Sequence, residues 1–303
     1  MSLEADALVD RRRLKRRLAV WRALAILALV AALLIGIGRF GMVQTGDYVA
    51  RFDVEGIIQD NTVRDELFAE IGSDDQAKAL IVRINSPGGT VVGGESLYLG
   101  LREIAAKKPV VALMGTLATS AAYMGALASD RIFAREGTLT GSIGVLVQTI
   151  EITELLEDIG VSTELIKSAP LKASPSPLEP MSEEAREATR GVVMDMYGMF
   201  VDLVAERRDI ERPRALALAD GRIYTGRQAL EADLIDAIGG QAEARAWLAE
   251  AHDISEDLPV RDIKPKRGVD ALLEQAAGSA KKALFSERLM LDGLISVWHP
   301  GLL

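Results

Sequence analysis

From position 49 onward, short runs rich in Val, Ile and Leu alternate with stretches of helical period, which constrains the chain to an α/β fold. "YVARFDVEGII", "AKALIVRIN", "PVVALMG", "DRIFA", "SIGVLVQT" and "VSTELIKS" read as strands. "NTVRDELFAEIGSDD", "GGESLYLGLREIAAKK", "SAAYMGALAS" and "ITELLEDIG" read as the helices between them. Brief apolar runs of this kind fit strands buried beneath covering helices, and the alternation predicts an α/β domain. The segment "APLKASPSPLEPMS", residues 169–182, holds four prolines and can continue neither pattern, so it is an irregular loop. Ser182 then caps a long helix that opens with Glu183 and Glu184, acids that suit a helix N-terminus. "GRIYTGRQALEADLIDAIGG" closes the core, with turns at Gly226 and Gly239.

Ahead of this domain the charge is lopsided. Residues 1–22 carry seven cations against Glu4, Asp6 and Asp10, a net of +4, while the whole chain is −9. An uncharged run, "ALAILALVAALLIGIG", follows at 23–38. Counted from Leu18, with Arg22 reaching out to the interface, the segment has 21 residues. At ~1.5 Å per residue that is ~31 Å of helix, about one bilayer core. The expectation is a basic cytoplasmic segment 1–22, an uncleaved transmembrane helix 23–38 and everything from 40 onward outside the cytoplasm. The run is long for a cleaved signal peptide, and no clear A-x-A site follows it. Residues 39–48 form a tether of at most ~35 Å. The main domain is expected at 49–240, with a helical C-terminal extension, 241–303, that includes one strand at "LPVRDIKP".

Composition removes several chemistries. There is no cysteine, hence no disulfide, thiolate metal site or cysteine nucleophile. The only histidines, His252 and His299, lie far down the chain. The negative balance argues against nucleic acid as a partner. Glycines 88, 89, 93 and 94 in "INSPGGTVVGGES" match neither phosphate-binding pattern, and no lysine stands where a phosphate cradle needs one. No cofactor and no metal are expected.

Two stretches sit where strands hand over to helices, the usual place for a site in an α/β sheet: "INSPGGTVVGGES" and "GTLATSAAYMG". Gly88 and Gly89 make either an ordinary tight turn or a bare backbone N–H facing a cleft, half of an oxyanion hole. Ser120 is either a helix cap or a nucleophile outside any G-x-S-x-G elbow. A nucleophilic Ser120 needs a base, which is one of the distant histidines or a lysine. Lys172, in the proline-rich loop, is either a surface side chain or that base. A lysine base has to be neutral near pH 7, which takes a desolvated pocket. An exposed loop cannot supply one unless other parts of the protein roof it.

With these residues in view, the chain resembles the signal peptide peptidase A (SppA) family in its short, single-repeat form. The resemblance covers nearly all of 45–240. It rests on "RINSPGG", "ATSAAYMGALASDRIFA", "GTLTGSIGV", "KASPSPLEPMSEEAR" and "DGRIYTGRQALEADLIDAIGG". "INSPGG" and "SAAYMGA" are also similar to the Clp peptidases, which share the crotonase-type βαβ spiral fold. Those enzymes have a histidine soon after the serine, where this chain reads "TGSIGVLVQ".

The resemblance implies Ser120 as nucleophile, Lys172 as general base and Ser142 as the residue that orients the lysine amine. It implies the N–H groups of Gly89 and Ala121 as the oxyanion hole. It further implies a membrane-anchored Ser–Lys endopeptidase with its catalytic domain in the periplasm or outside the cell. Its substrates would be signal-peptide remnants and other unfolded apolar peptides at the lipid bilayer. The implied assembly is a homo-oligomeric ring, an octamer being the size suggested, with Lys172 of one subunit completing the site at Ser120 of its neighbour. The sequence departs from the family at Ala121 and Ala122, where glycines are usual, and at Asp233, also usually glycine. Rival readings are a Clp-like membrane peptidase of the stomatin-partner type, a crotonase-fold protein binding acyl thioesters and an inactive scaffold that clamps membrane proteins.

Overall fold

A computed structural model describes residues 15–30, 46–264 and 294–297. The chain divides into two compact units, Met1–Gly46 and Asp47–Leu303. In the first, residues 15–30 are helical and exposed. This covers 23–30 of the expected membrane span, while 31–38, residues 1–14 and most of the tether lie outside the described residues. Among the described residues no helix is long and apolar enough to cross a membrane.

The second unit begins with three long strands and their helices. They are β1 (Tyr48–Ile58), α1 (Thr62–Ser73), β2 (Ala77–Thr90), α2 (Val91–Ala105), β3 (Val110–Thr119) and α3 (Ala121–Ala126). Shorter elements follow: β4 (Arg131–Ala134), β5 (Leu139–Gly141), β6 (Leu146–Val147), α4 (Thr153–Asp158), the long α5 (Glu183–Arg208) and α6 (Arg212–Leu218). The series ends with β7 (Ile223–Thr225), α7 (Gly226–Glu231), β8 (Ala237–Ile238), α8 (Gln241–His252), β9 (Val260–Asp262) and β10 (Leu294–Val297).

The architecture is α/β around one mixed sheet. β2 lies between β1 and β3, parallel to both. β3 pairs with β4 along its first half and with β5 along its second. β10 runs antiparallel to β2 and to β6, and β7 antiparallel to β5. The alternation within "ALIVRI" assigns the two faces of the sheet. Leu80, Val82 and Ile84 join Leu97, Leu101 and Ile104 of α2 in one core. Ala79 and Ile81 join Val49, Val111, Ala244 and Leu248 in the other. Residues of α8 thus complete the sheet's second face, and each fully buried Leu or Ile contributes about 1.5–3 kcal/mol.

Two expected strands come out differently. "VSTELIKS", residues 161–168, forms no strand. Its Val161, Leu165 and Ile166 are exposed, so no sheet face rewards pairing there. In "SIGVLVQT" only Leu146 and Val147 pair. β2 and β3, in contrast, run further than expected and carry the ladder into "SPGG" and "TLAT".

Candidate active site

The ends of β2 and β3 converge through a deliberate irregularity. Their register runs evenly to Ile84↔Met114 and resumes at Ser86↔Ala118, so β3 bulges over Gly115–Leu117. Polar side chains take up the backbone groups that the bulge releases. Asn85 Oδ1 accepts from Leu117 N (3.2 Å), and Thr138 Oγ1 donates to Gly115 O (2.8 Å). Ser86, fully buried, donates to Gly56 O (2.6 Å) and accepts from Gly88 N (3.1 Å), which fixes the Pro-Gly-Gly turn. Thr119 Oγ1 donates to Pro87 O (3.1 Å) and ties that turn to the end of β3.

Ser120 sits at the corner from β3 into α3 with φ 59° and ψ −123°, a conformation that side-chain-bearing residues rarely adopt. It is buried at 1% exposure. Its side chain makes no cap hydrogen bond to α3, so the simple explanation of a serine at a helix start does not hold. Its N–H donates to Gly141 O (2.8 Å), bringing β5 alongside. Ser142 follows directly, half-buried at φ 50°, and its N–H donates to Arg222 O (2.8 Å). Tyr123, one turn into α3, is no rival base. Burial pushes its hydroxyl well above the ordinary phenol range, and it donates to Leu234 O (2.8 Å).

Gly89 has no room for a side chain: a Cβ there would lie 1.7 Å from Ile58 O. Ala121 opens α3, where a backbone N–H has no intrahelical partner. Its methyl group fits because α2 carries Gly94 opposite, where a Cβ would come within 2.9 Å of the Ala121 Cβ. Ala121 and Ala122 are fully buried, so the departure from glycine is absorbed by packing. Asp233, the other departure, keeps its turn at φ 58°, a conformation Asp tolerates better than most residues.

The fold therefore gathers Ser120, Ala121, Gly89 and Ser142 at one edge. Lys172 is placed differently. It lies on the exposed loop between α4 and α5, and its amine has no hydrogen-bond or ion-pair partner among the described residues. Among the described residues no group of three or more His, Asp or Glu could hold a metal ion.

Sequence reasoning missed Asn85, Ser86 and Thr119 as the polar supports of this edge, although the first two stand inside the quoted "RINSPGG". It also missed β10. Residues 294–297 lie between β2 and β6, with Ser296 opposite Gly89 and Ile295 opposite both Thr90 and Leu146. Four residues within a stretch of helical pattern give no strand signal.

Residues 102–255 match the model of peptidase family S49. The chain belongs to peptidase family S49. As an S49 chain it is a serine peptidase, and Ser120, Ala121, Ser142 and Lys172 fall within the matched region while Gly89 precedes it. A Synechocystis sp. protein provisionally named as a protease is 38% identical over 72% of this chain and 80% of its own length. An Enterococcus faecium protein, provisionally named signal peptide peptidase SppA, is 35% identical over 65% of this chain and 61% of its own. The chloroplastic serine protease SPPA of Arabidopsis thaliana is 32% identical over 72% of this chain but only 32% of its own. The S49 chain thus spans less than two thirds of the latter two relatives. Among solved structures, the membrane-bound stomatin-specific protease 1510-N superposes with a TM-score of 0.48 at 15% identity, over 73% of this chain and 100% of that one.

Proposed function

We propose that this S49 chain is a membrane-tethered endopeptidase in which Ser120 is the nucleophile and Lys172 of a second copy is the general base. The carrying observation is the backbone of Ser120, held at φ 59° in a buried corner without serving as a cap. Such a conformation costs about 1–3 kcal/mol and persists where the surroundings enforce it, commonly to present a reacting group. The neutral Lys172 amine takes the Ser120 Oγ proton as Oγ bonds to the scissile carbonyl carbon. The N–H groups of Gly89 and Ala121 hold the oxyanion, and Ser142 orients the amine. Collapse breaks the C–N bond, and the Lys172 ammonium protonates the leaving amine. Water, deprotonated by the same lysine, then cleaves the Ser120 ester.

The second copy answers the problem of the exposed loop. Leu165, Ile166 and Leu171 beside Lys172 are all exposed, and a neighbouring subunit would cover them and exclude water from the amine. A ring, octameric as in the resemblance to the SppA family, repeats that contact around an axis. Signal-peptide remnants and other unfolded apolar peptides are the proposed substrates. The β10 pairing at Gly88–Thr90 supports this choice, because it marks a slot beside Gly89 that takes an extended backbone. Residues 23–38 are proposed as the bilayer anchor, with 1–22 in the cytoplasm and the peptidase domain outside it.

Mixing tests the shared site. Ser120→Ala and Lys172→Ala chains should each be inactive towards an apolar peptide, and co-assembled they should regain activity. No recovery on mixing would put the lysine in the same chain as its serine, and activity of Lys172→Ala alone would remove it as the base. Protease added to spheroplasts should digest the peptidase domain; protection of that domain would reverse the topology.

A further inference from the structure

The loop that carries Lys172 is closed on itself by one carboxylate. Glu179 Oε1 accepts from Lys167 Nζ in a short ion pair and from Ser174 Oγ at 3.3 Å. Lys167 precedes Lys172 by five residues, and Ser174 and Glu179 follow it by two and seven. The pair is largely enclosed, with side-chain exposures of 15% for Lys167 and 28% for Glu179, against 62% and 81% for Arg186–Glu183 at the start of α5. Inside the closed loop only two backbone turns remain, Lys172 N to Ala169 O (3.1 Å) and Ser174 N to Leu171 O (3.2 Å). Ala173 is held at φ 61°, a left-handed conformation that alanine adopts only when its surroundings impose it. The base of the loop is fastened to the body by Ile152 N to Pro177 O (3.0 Å) and Thr163 Oγ1 to Leu178 O (3.0 Å).

We propose that Glu179 is a positioning residue: it joins both flanks of the loop through Lys167 and Ser174 and so fixes where Lys172 presents its amine. This rests on Lys172 being the base. A lysine has a long, flexible stem, and proton transfer requires its nitrogen within hydrogen-bond reach of the serine oxygen. The loop backbone therefore has to remove the freedom that the stem cannot. Lys167 is already engaged by Glu179, so the two lysines of the loop have separate tasks. One braces and the other reacts.

The test compares Glu179→Gln, Glu179→Asp, the exchanged pair Lys167→Glu with Glu179→Lys, and Lys172→Ala in the full chain. Peptide hydrolysis is followed as kcat and KM, with thermal unfolding alongside. Glu179→Gln should lower kcat about tenfold or more and leave KM within about twofold, as expected when a reacting group is misplaced but binding is intact. Glu179→Asp and the exchanged pair should each recover most of the rate. Lys172→Ala separates the two levels of the reading. If Lys172→Ala remains active, the base assignment falls and the clamp with it. If Lys172→Ala is dead while Glu179→Gln keeps wild-type kcat, the clamp alone is overturned. A Glu179→Gln loss that falls on KM rather than kcat, or a folded exchanged pair that recovers nothing, also overturns it. Should Glu179→Gln fail to fold, Glu179→Asp and the exchanged pair decide by the same criteria.

Discussion

Thr119 Oγ1 donates to Pro87 O at 3.1 Å, and that bond joins the residue before Ser120 to the turn that holds Gly89. Thr119 is fully buried, so water cannot replace the partner. Thr119→Val keeps the shape and removes the buried donor, at a cost of about 1–3 kcal/mol. Expected are a kcat roughly ten- to a hundredfold lower if the cost falls on the transition state, a similar KM, and near-normal rates in Thr119→Ser. Equal rates in Thr119→Val and wild type would show that the two segments hold their alignment without this bond.

The contact between Gly94 and Ala121 makes a paired prediction. Gly94→Ala drives a methyl group to 2.9 Å from the Ala121 Cβ, an overpacking worth about 1–3 kcal/mol. α3 has to shift, and the Ala121 N–H moves with it. Labelling of Ser120 by a fluorophosphonate should slow markedly in Gly94→Ala and recover in the double variant Gly94→Ala, Ala121→Gly. Failure of the double variant to recover would place the strain elsewhere.

The pairing of β10 with Gly88–Thr90 sets the chain's own C-terminal segment against any peptide that pairs there. Ile295→Pro removes a ladder donor in a strand paired on both sides. KM for a short apolar peptide should fall, by about tenfold if the segment fills the slot nine-tenths of the time. An unchanged KM in Ile295→Pro would mean that peptides bind without using these backbone groups.

A lysine base fixes the direction of the pH dependence. Only the neutral amine accepts the Ser120 proton, so kcat/KM should rise with pH. A flat profile in an enzyme still labelled at Ser120 would leave Lys172 without a catalytic task.

Stability has its own pH signature at the start of β1. Tyr48 Oη donates to Asp74 Oδ2 at 2.7 Å. That bond holds the Asp74 carboxyl below its usual range. Burial, with Asp74 beside it, pushes the Tyr48 hydroxyl up to about 12. A depressed carboxylate stabilises the fold above its unfolded pKa, and the gain is lost as pH falls through the folded one. A raised phenol stabilises it below ~10, and that gain fades as pH climbs towards about 12. Tyr48→Phe should therefore lower Tm most between these limits, with the difference shrinking below pH ~4. A Tm difference constant down to strong acid would assign the loss to packing instead.

The long strands could be read in the sequence because "ALIVRI" and "VVALM" are buried on both faces, and an apolar run of that length has few other uses. The serine and the Pro-Gly-Gly turn were readable as a pair because each stands at a strand end. "VSTELIKS" has the same local composition as a strand and is not one, since pairing is rewarded only where a sheet face is covered, and its Val161, Leu165 and Ile166 are exposed. Asn85 and Thr119 look like any polar residues in a turn until the bulge of β3 shows which backbone groups they satisfy.

The sequence by itself determined the α/β class, the absence of thiol chemistry, the basic segment ahead of an apolar run, and Ser120 and Lys172 as the groups worth testing. These follow from composition, periodicity and motif, which act over a few neighbouring residues. Only the tertiary structure decided that Ser120 stands in a strained, buried corner rather than capping a helix. Only it showed that Gly94 makes room for Ala121, that β10 lies along Gly89, and that Glu179 closes the loop of Lys172. Each of these depends on which residues the fold brings together, by sheet register, by the fit of one methyl group or by a single carboxylate, and the local composition of a segment carries no record of it.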